Sequence, residues 1–335
     1  MATSWTAFSP KEFQVLFKHQ SEFGTSSAGT DMYQLDVDSV STTSLNPNQS
    51  VEVRNSGSGR ALKDEDFFQD RILTVKELTF SGNYHIDSGH KLLIHNILNN
   101  GTTNDNVTMD NSYSPATLYS GSTGLDSHHL FTVVIATPNG GTWKNLEFPD
   151  CVVTNFTLSA DTETEGGRYK YSVTFAAGSK YTDTNDGTTR TPTASYSNTT
   201  CATLGGVDAG SVKVMNVDAI LKSFALTIDN PAAFVGAGAA GYQTINRGSE
   251  CSVTLDAQVK YDDVTDELIS TFDSQTAATN GDGFKLVNSA NLDITINDYV
   301  ATNVSLSEGD LMMLDISLKA VDDGAEKVVE IDFTS

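Results

Sequence analysis

The sequence predicts a mainly β fold made of two tandem copies of one domain, each with one short α-helix. Composition is the first reason: 38% of the 335 residues are hydrophobic, and Gly, Thr, Ser and Asn are abundant, without the Lys, Glu or Ala runs that favour helices. Length is the second, since a chain of this size holds about two domains with real cores. The third is a repeated strand seed. Val153-Thr154-Asn155-Phe156-Thr157-Leu158-Ser159 returns as Ala301-Thr302-Asn303-Val304-Ser305-Leu306-Ser307, with four of seven positions identical. Colinear matches on both sides of the seed make this a tandem duplication.

In order, residues 1–30 read as an N-terminal arm, polar and Gly/Ser-rich after a short apolar patch around Phe13, Val15, Leu16 and Phe17. Copy 1 spans 31–178, a linker 179–210, and copy 2 211–335. Copy 1 opens on an alternating strand with Tyr33, Leu35 and Val37 on one face. The stretch from Val37 to Asn46-Pro47 matches Leu221 to Asn230-Pro231 without a gap, at an offset of 231 − 47 = 184. A long loop follows in each copy, Asn48–Asp70 and Ala232–Glu250. Next comes a half-buried strand. Val253, Leu255, Ala257, Val259 and Tyr261 alternate with polar residues, as do Leu78, Phe80, Gly82, Tyr84 and Ile86. Pairing Leu78 with Val253 gives an offset of 253 − 78 = 175 and places the smallest residue of each run, Gly82 or Ala257, third.

Asp87 and Asp262 then start a helix, because their side-chain oxygens can accept from free backbone amides. Leu93, Ile94 and Ile97, matched by Leu268, Ile269 and Phe272, have the spacing of one apolar helix stripe that packs on the sheet. From Ile97 to Thr154 is 57 residues and from Phe272 to Thr302 is 30, so copy 1 carries 57 − 30 = 27 extra. This insertion, at about 99–127, is expected at the surface, decorating the outside or making a further contact. The seed at offset 148 and a final strand close each copy, through Tyr169, Tyr171, Val173 and Phe175 or Met312, Leu314, Ile316 and Leu318.

The formal net charge of −23 argues against nucleic-acid binding, which needs cations against phosphates, and against anionic membranes. Met1–His19 lacks the apolar core of a signal peptide, and the longest apolar run, Leu130–Ala136, is too short to span a bilayer. Cys151, Cys201 and Cys251 are odd in number and form no CxxC pair, which fits synthesis in a reducing cytoplasm. Gly236-Ala237-Gly238-Ala239-Ala240-Gly241 matches a dinucleotide fingerprint formally, but no strand and helix flank it as that mechanism requires. His90 and His95 are five apart and share no helix face for a metal. Asp183–Gly187 lacks the spacing and terminal Glu of a calcium loop. No nucleophile–base pair stands out, so no enzyme, cofactor or metal is expected.

From Gln20-Ser21-Glu22-Phe23-Gly24-Thr25 onward, the order of alternating strand, polar loop, alternating strand and short helix resembles the phage tail tube proteins. The closing strand pairs fit too, and the resemblance runs from about residue 20 to 333. It implies two tandem tail-tube-type β-sandwich domains, each with one flanking helix, in a structural protein of the virion tail made in the host cytoplasm. Subunits of that family align their strands around a channel, six domains to a ring. Two domains per chain then imply trimers acting as pseudo-hexamers. The polar strand faces would line an acidic channel through which DNA passes without specific binding, with Glu77, Asp256, Asp293 and Asp298 as lumen candidates. The long loops would reach the adjacent ring, through Arg54, Arg60, Phe234 and Tyr242. The implied partners are the chain itself, a tape-measure protein, a tail terminator and tail-tip proteins, with no membrane. A secreted or surface-layer β-sandwich adhesion protein is the competing class; it would call for a signal peptide, paired cysteines or a proper calcium loop.

Overall fold

The computed structural model describes residues 13–20, 24, 26–29, 31–42, 49–51, 61, 66–69, 75–98, 106–109, 117–120, 130–139, 142–179, 181–184, 190, 192–194, 200–205, 207, 210–236, 242–247, 250–275, 281–288, 292–308, 311–322 and 328–333. The chain is mainly β. Copy 1 and the linker form β1 (Gln14–His19), β2 (Met32–Leu35), β3 (Ser39–Thr42), β4 (Gln49–Val51), β5 (Phe67–Gln69), β6 (Lys76–Asn83), α1 (Ser88–Ile97), β7 (Asn106–Met109), β8 (Thr117–Ser120), β9 (Phe131–Asn139), β10 (Thr142–Asp161), β11 (Lys170–Ala177), β12 (Thr182–Thr184) and β13 (Pro192–Ala194). Copy 2 forms β14 (Val212–Val214), β15 (Val217–Asp218), β16 (Leu221–Asp229), β17 (Ala232–Val235), β18 (Thr244–Arg247), β19 (Ser252–Lys260), α2 (Glu267–Ser274), β20 (Phe284–Leu286), β21 (Asp293–Ile296), β22 (Tyr299–Glu308), β23 (Met312–Ala320) and β24 (Val329–Asp332).

The two halves repeat one strand order. β3-β6-β11-β10 in the first is matched by β16-β19-β23-β22 in the second. All neighbours are antiparallel, and β10 pairs with β16, so the two units make one continuous sheet. Each unit is backed by a second layer. In the first this is β2-β1-β9 running into the front half of β10; in the second it is β15-β14-β20-β21-β24. β10 belongs to both layers of the first unit, and its pairing shifts between Phe148 and Cys151. Asp150 sits there at φ 57°, the kind of bulge that lets a strand turn a corner between sheets. Alternating side chains fill the space between the layers, and Phe17, Phe80, Phe156, Leu255, Ile294 and Leu314 belong to one core cluster.

The repeated seed folds alike in both units. A bulge falls between Val153 and Asn155 and again between Ala301 and Asn303. The bulged threonines make the same bond: Thr154 Oγ1 donates to Thr174 O at 3.3 Å, and Thr302 Oγ1 to Ser317 O at 3.1 Å. One cross-strand row runs Val40–Phe80–Val173–Phe156, and its counterpart runs Phe224–Ala257–Ile316–Val304. Phe80 therefore corresponds to Ala257, an offset of 257 − 80 = 177, which corrects the 175 that pairing Leu78 with Val253 gives. Large and small are exchanged across the strand pair: Phe80 lies beside Val40, Ala257 beside Phe224. Gly82 is small for a local reason. A Cβ there would run into the backbone carbonyl of Asp36.

Three segments without strong alternation carry strands of their own. β1, from the stretch read as an arm, lies between β2 and β9 with Leu16 and Phe17 buried. Linker residues 200–204 run between the ends of β6 and β11, where Ala202 N donates to Tyr84 O at 3.0 Å and Tyr169 N to Ala202 O at 2.9 Å. The two strands of the insertion pair with the other half of the chain. β7 extends the back sheet at β24, and β8 pairs with β18.

Candidate assembly interface

The junction between the halves is an ordinary antiparallel pairing, from Asn155↔Asp229 to Asp161↔Ser223. On its core side Phe156 lies beside Ile228 and Leu158 beside Leu226; on the other side Thr157 and Thr227 bring their hydroxyls to 3.2 Å. At one end a buried polar knot ties three elements together. α1 ends there, leaving carbonyls without helical partners. Arg247, at the end of β18, donates to Asn96 O at 2.6 Å and Asn96 Oδ1 at 3.2 Å. It also donates to Val153 O at 2.5 Å and Asn230 O at 2.8 Å. Asn96 Oδ1 accepts from Val153 N at 2.9 Å, and Asn230 Nδ2 donates to Ile97 O at 2.6 Å. A cation at a helix C-terminus also opposes the helix dipole favourably. One guanidinium thus fixes helix, bulged strand and second half in register. The sequence reading did not single out Arg247, although it is the one basic residue between Ala232 and Glu250.

The outer strands of the continuous sheet, β3 and β22, pair on one side only among the described residues. Along β22 the chain exposes what the internal junction covers. Leu158 is fully buried, whereas its counterpart Leu306 is 52% exposed, and Ile269 on α2 is 38% exposed. Phe156 and Ile97 are buried, whereas Val304 and Phe272 are half-buried. The amide device is present in both places, since Ala301 N donates to Gln275 Oε1 at 3.1 Å as Val153 N does to Asn96. Covering what remains exposed of Leu306 and Ile269 would contribute roughly 1–3 kcal/mol, about half the worth of burying two aliphatic side chains outright. An open strand edge beside exposed apolar residues is a template for another strand.

The face of the sheet opposite the core carries short polar side chains. Thr79 and Thr174 meet at 3.0 Å, Ser317 Oγ donates to Asp256 at 2.6 Å, and Gln258 Nε2 to Asp315 at 2.7 Å. Glu77 and Asp256 lie on this face and are exposed. Asp161, Asp229 and Asp315, which the sequence reading did not name, share it by alternation, together with Lys170, Lys260 and Lys319. The other two lumen candidates are placed elsewhere. Asp293 is on β21 in the back sheet, where it accepts from Asn288 N at 2.6 Å, and Asp298 is buried beside the start of β22.

Of the helix residues, Leu93, Ile94, Ile97 and Leu268 are buried, Phe272 is half-buried and Ile269 is exposed. Arg54 and Arg60 lie outside the described residues. Phe234 and Tyr242 hold their rings 5.4 Å apart and tilted at 53°, and lie on copy 1 of the same chain. Phe234 packs with Ile245 over Gly178, and Tyr242 N donates to Gly178 O at 3.1 Å. No group of three His, Cys, Asp or Glu able to hold a metal is found among the described residues. No helix is long and apolar enough to cross a membrane.

The family described as phage tail tube protein matches residues 13–334. A comparison with curated proteins finds no match.

Proposed function

The chain belongs to the phage tail tube protein family, structural components of the virion tail that assemble into a tube, and we propose that three copies form each ring. The observation that carries this is the β10–β16 junction. The penultimate strand of copy 1 joins the first strand of copy 2, while the penultimate strand of copy 2 and the first of copy 1 have open outer edges. Repeating the same junction between chains pairs β22 of one with β3 of the next and covers Leu306 and Ile269. Such a head-to-tail contact closes into a ring when the rotation allows.

The register sets the strand tilt of such a ring. The row through Phe156 enters copy 2 at Ile228, whereas the corresponding row of copy 2 starts at Phe224, a stagger of 228 − 224 = 4 residues per copy. Six copies then make a barrel of roughly 24 strands with a shear of about 24, hence a tilt of about 36° and roughly 45 Å between opposite walls. That tilt is within the usual range for closed barrels, and the lumen is wider than a DNA duplex.

The hydroxyl-rich face would line this channel, with Glu77, Asp161, Asp229, Asp256 and Asp315 outnumbering Lys170, Lys260 and Lys319. Net negative walls free of cationic clusters let DNA pass without adhering. Tape-measure, terminator and tip proteins are the partners such a tube requires. Negative-stain microscopy of the purified chain at rising concentration, with the mass of the smallest assembly, is the test. Rings of three chains are expected. Rings of six would leave the tube and overturn the two-positions-per-chain reading, and a chain that never assembles, even with virion components, would overturn both.

A further inference from the structure

Resting on that ring reading, we infer that the insertion in copy 1 is a splint. Its two strands fix the angle between the halves, so that each chain enters the ring already bent to one third of a turn. They do not decorate copy 1. β7 runs along β24 from Asn106↔Asp332 to Met109↔Val329, and β8 along β18 from Thr117↔Asn246 to Ser120↔Thr244. Both partners belong to copy 2 and lie in different parts of it, β24 in the back layer and β18 in the hairpin that carries Arg247. Copy 2 returns the contact. Phe333, just beyond β24, packs on α1, with Lys91 Nζ 5.1 Å from its ring centre and the His95 ring at 6.5 Å.

The front-sheet junction alone would leave this angle loose. Neighbouring strands are rotated against each other by anything from about 10° to about 35°, and the β10–β16 ladder is one such pair. Three chains close into a ring when each turns about 120° and four when each turns about 90°, while an angle that fits neither gives an open helix. The slack of one seam, about 25°, is close to the difference of about 30° between those closures. Stacked layers lie about 10 Å apart, so a second fastening in the back layer has the leverage to remove the slack. β7 and Phe333 supply that fastening, and β8 adds a third on the hairpin. The insertion has no counterpart at the seam between chains, because copy 2 passes from α2 to β20 by the shorter connection. The bend built into each chain then sets the angle there, which makes the insertion the part that selects the number of chains per ring.

The test compares the full chain with two variants. Deletion of residues 101–127 gives copy 1 the spacing of copy 2, 57 − 27 = 30. Val107→Pro with Thr108→Pro keeps the length and breaks only the β7 ladder, since one of two adjacent residues aims its N–H at β24. Small-angle scattering of dilute single chains reads the splint without rings, and a cooperative thermal transition is the control for folding. Wild type is expected to fit one rigid shape and, at higher concentration, to form uniform three-chain rings. Each folded variant is expected to lose both, fitting only a range of angles between the halves and giving mixed ring sizes and open arcs by native mass spectrometry and negative stain. Wild-type scattering that demands a range of angles, or a folded variant of either kind that matches wild type in both readouts, would overturn the splint alone. A rigid wild-type chain that forms no rings would overturn the ring reading instead.

Discussion

Leu158 and Leu306 stand at the same place in the repeated seed, yet one is wholly buried and the other mostly exposed. Ile269 on α2 is exposed as well. The two leucines are chemically identical, so their chemistry does not account for this. What differs is what lies alongside: β16 pairs along β10 beside Leu158, whereas among the described residues no strand pairs along the outer edge of β22 beside Leu306. On the ring reading proposed above, Leu306 belongs to a contact between copies of the chain.

The largest expected effect comes from putting one change in both places. Leu158→Asp buries an unpaired carboxylate and should cost about 5 kcal/mol or more, enough to unfold most domains. Leu306→Asp should shift the stability of the isolated chain by no more than about 0.5 kcal/mol and still block ring formation. Urea denaturation at low concentration and sedimentation at high concentration read the two effects separately. Equal losses of stability would show that β22 is covered within the single chain.

Next is Arg247. Arg247→Met leaves the carbonyls of Val153, Asn96 and Asn230 without this donor in a buried site, for an expected loss of about 3–4 kcal/mol. The β7–β24 and β8–β18 pairings hold the halves together independently, so the halves should stay joined while the junction loosens. Hydrogen exchange along β10 and β16 would rise ahead of exchange in β19 and β23. A loss under 1 kcal/mol would mean that the knot follows the junction rather than fixing it.

Gly82 offers a smaller contrast. Gly82→Ala should cost about 1–3 kcal/mol through forced backbone movement, because Asp36 passes directly over it. By register its counterpart is Val259, which is buried with a full side chain. A neutral Gly82→Ala in thermal unfolding would mean that Asp36 can move away. This pair also shows what the sequence could and could not tell. The alternation of β19, the apolar stripes of α1 and α2, and the seed all give their elements directly, because period and burial are local properties. Gly82 and Ala257 misled the alignment because each is small for its own neighbour, Asp36 in one case and Phe224 in the other. The insertion and the linker gave no periodic signal. β7 and β8 draw their order from strands more than a hundred residues away, and Ala202 from two strand ends in copy 1. Arg247 was hidden for the same reason: its four acceptors come from three distant segments.

The smallest effects expected are in acid, and they differ between the copies by chemistry rather than by coverage. Asp87 caps α1, accepting from His90 N at 2.7 Å and from the His90 ring at 3.0 Å. Burial pushes its carboxyl up, but these bonds and the His90 charge outweigh that and hold it below the usual aspartate range. Asp36 is held low against its own burial by His85, at 2.8 Å, and Asn83. A lowered carboxyl contributes stability that is present above the unfolded value of about 3.9 and lost as pH falls through the folded one. Asp150 runs the other way. Its burial raises it in spite of bonds from Ser179, Gly24 and Gln20, so its contribution is present below the unfolded value and lost as pH rises through the raised folded one. In copy 2 Asp262 is lowered chiefly by the Thr265 amide, with no histidine involved. Urea midpoints followed from pH 7 to pH 2 should therefore fall less steeply below about pH 4 in Asp87→Asn than in wild type. Asp262→Asn, at a more open site, should change the slope less. Asp150→Asn should fall more steeply than wild type over the same range, the opposite sign. An unchanged acid slope in Asp87→Asn would mean that the His90 bonds orient the start of α1 without setting its response to pH.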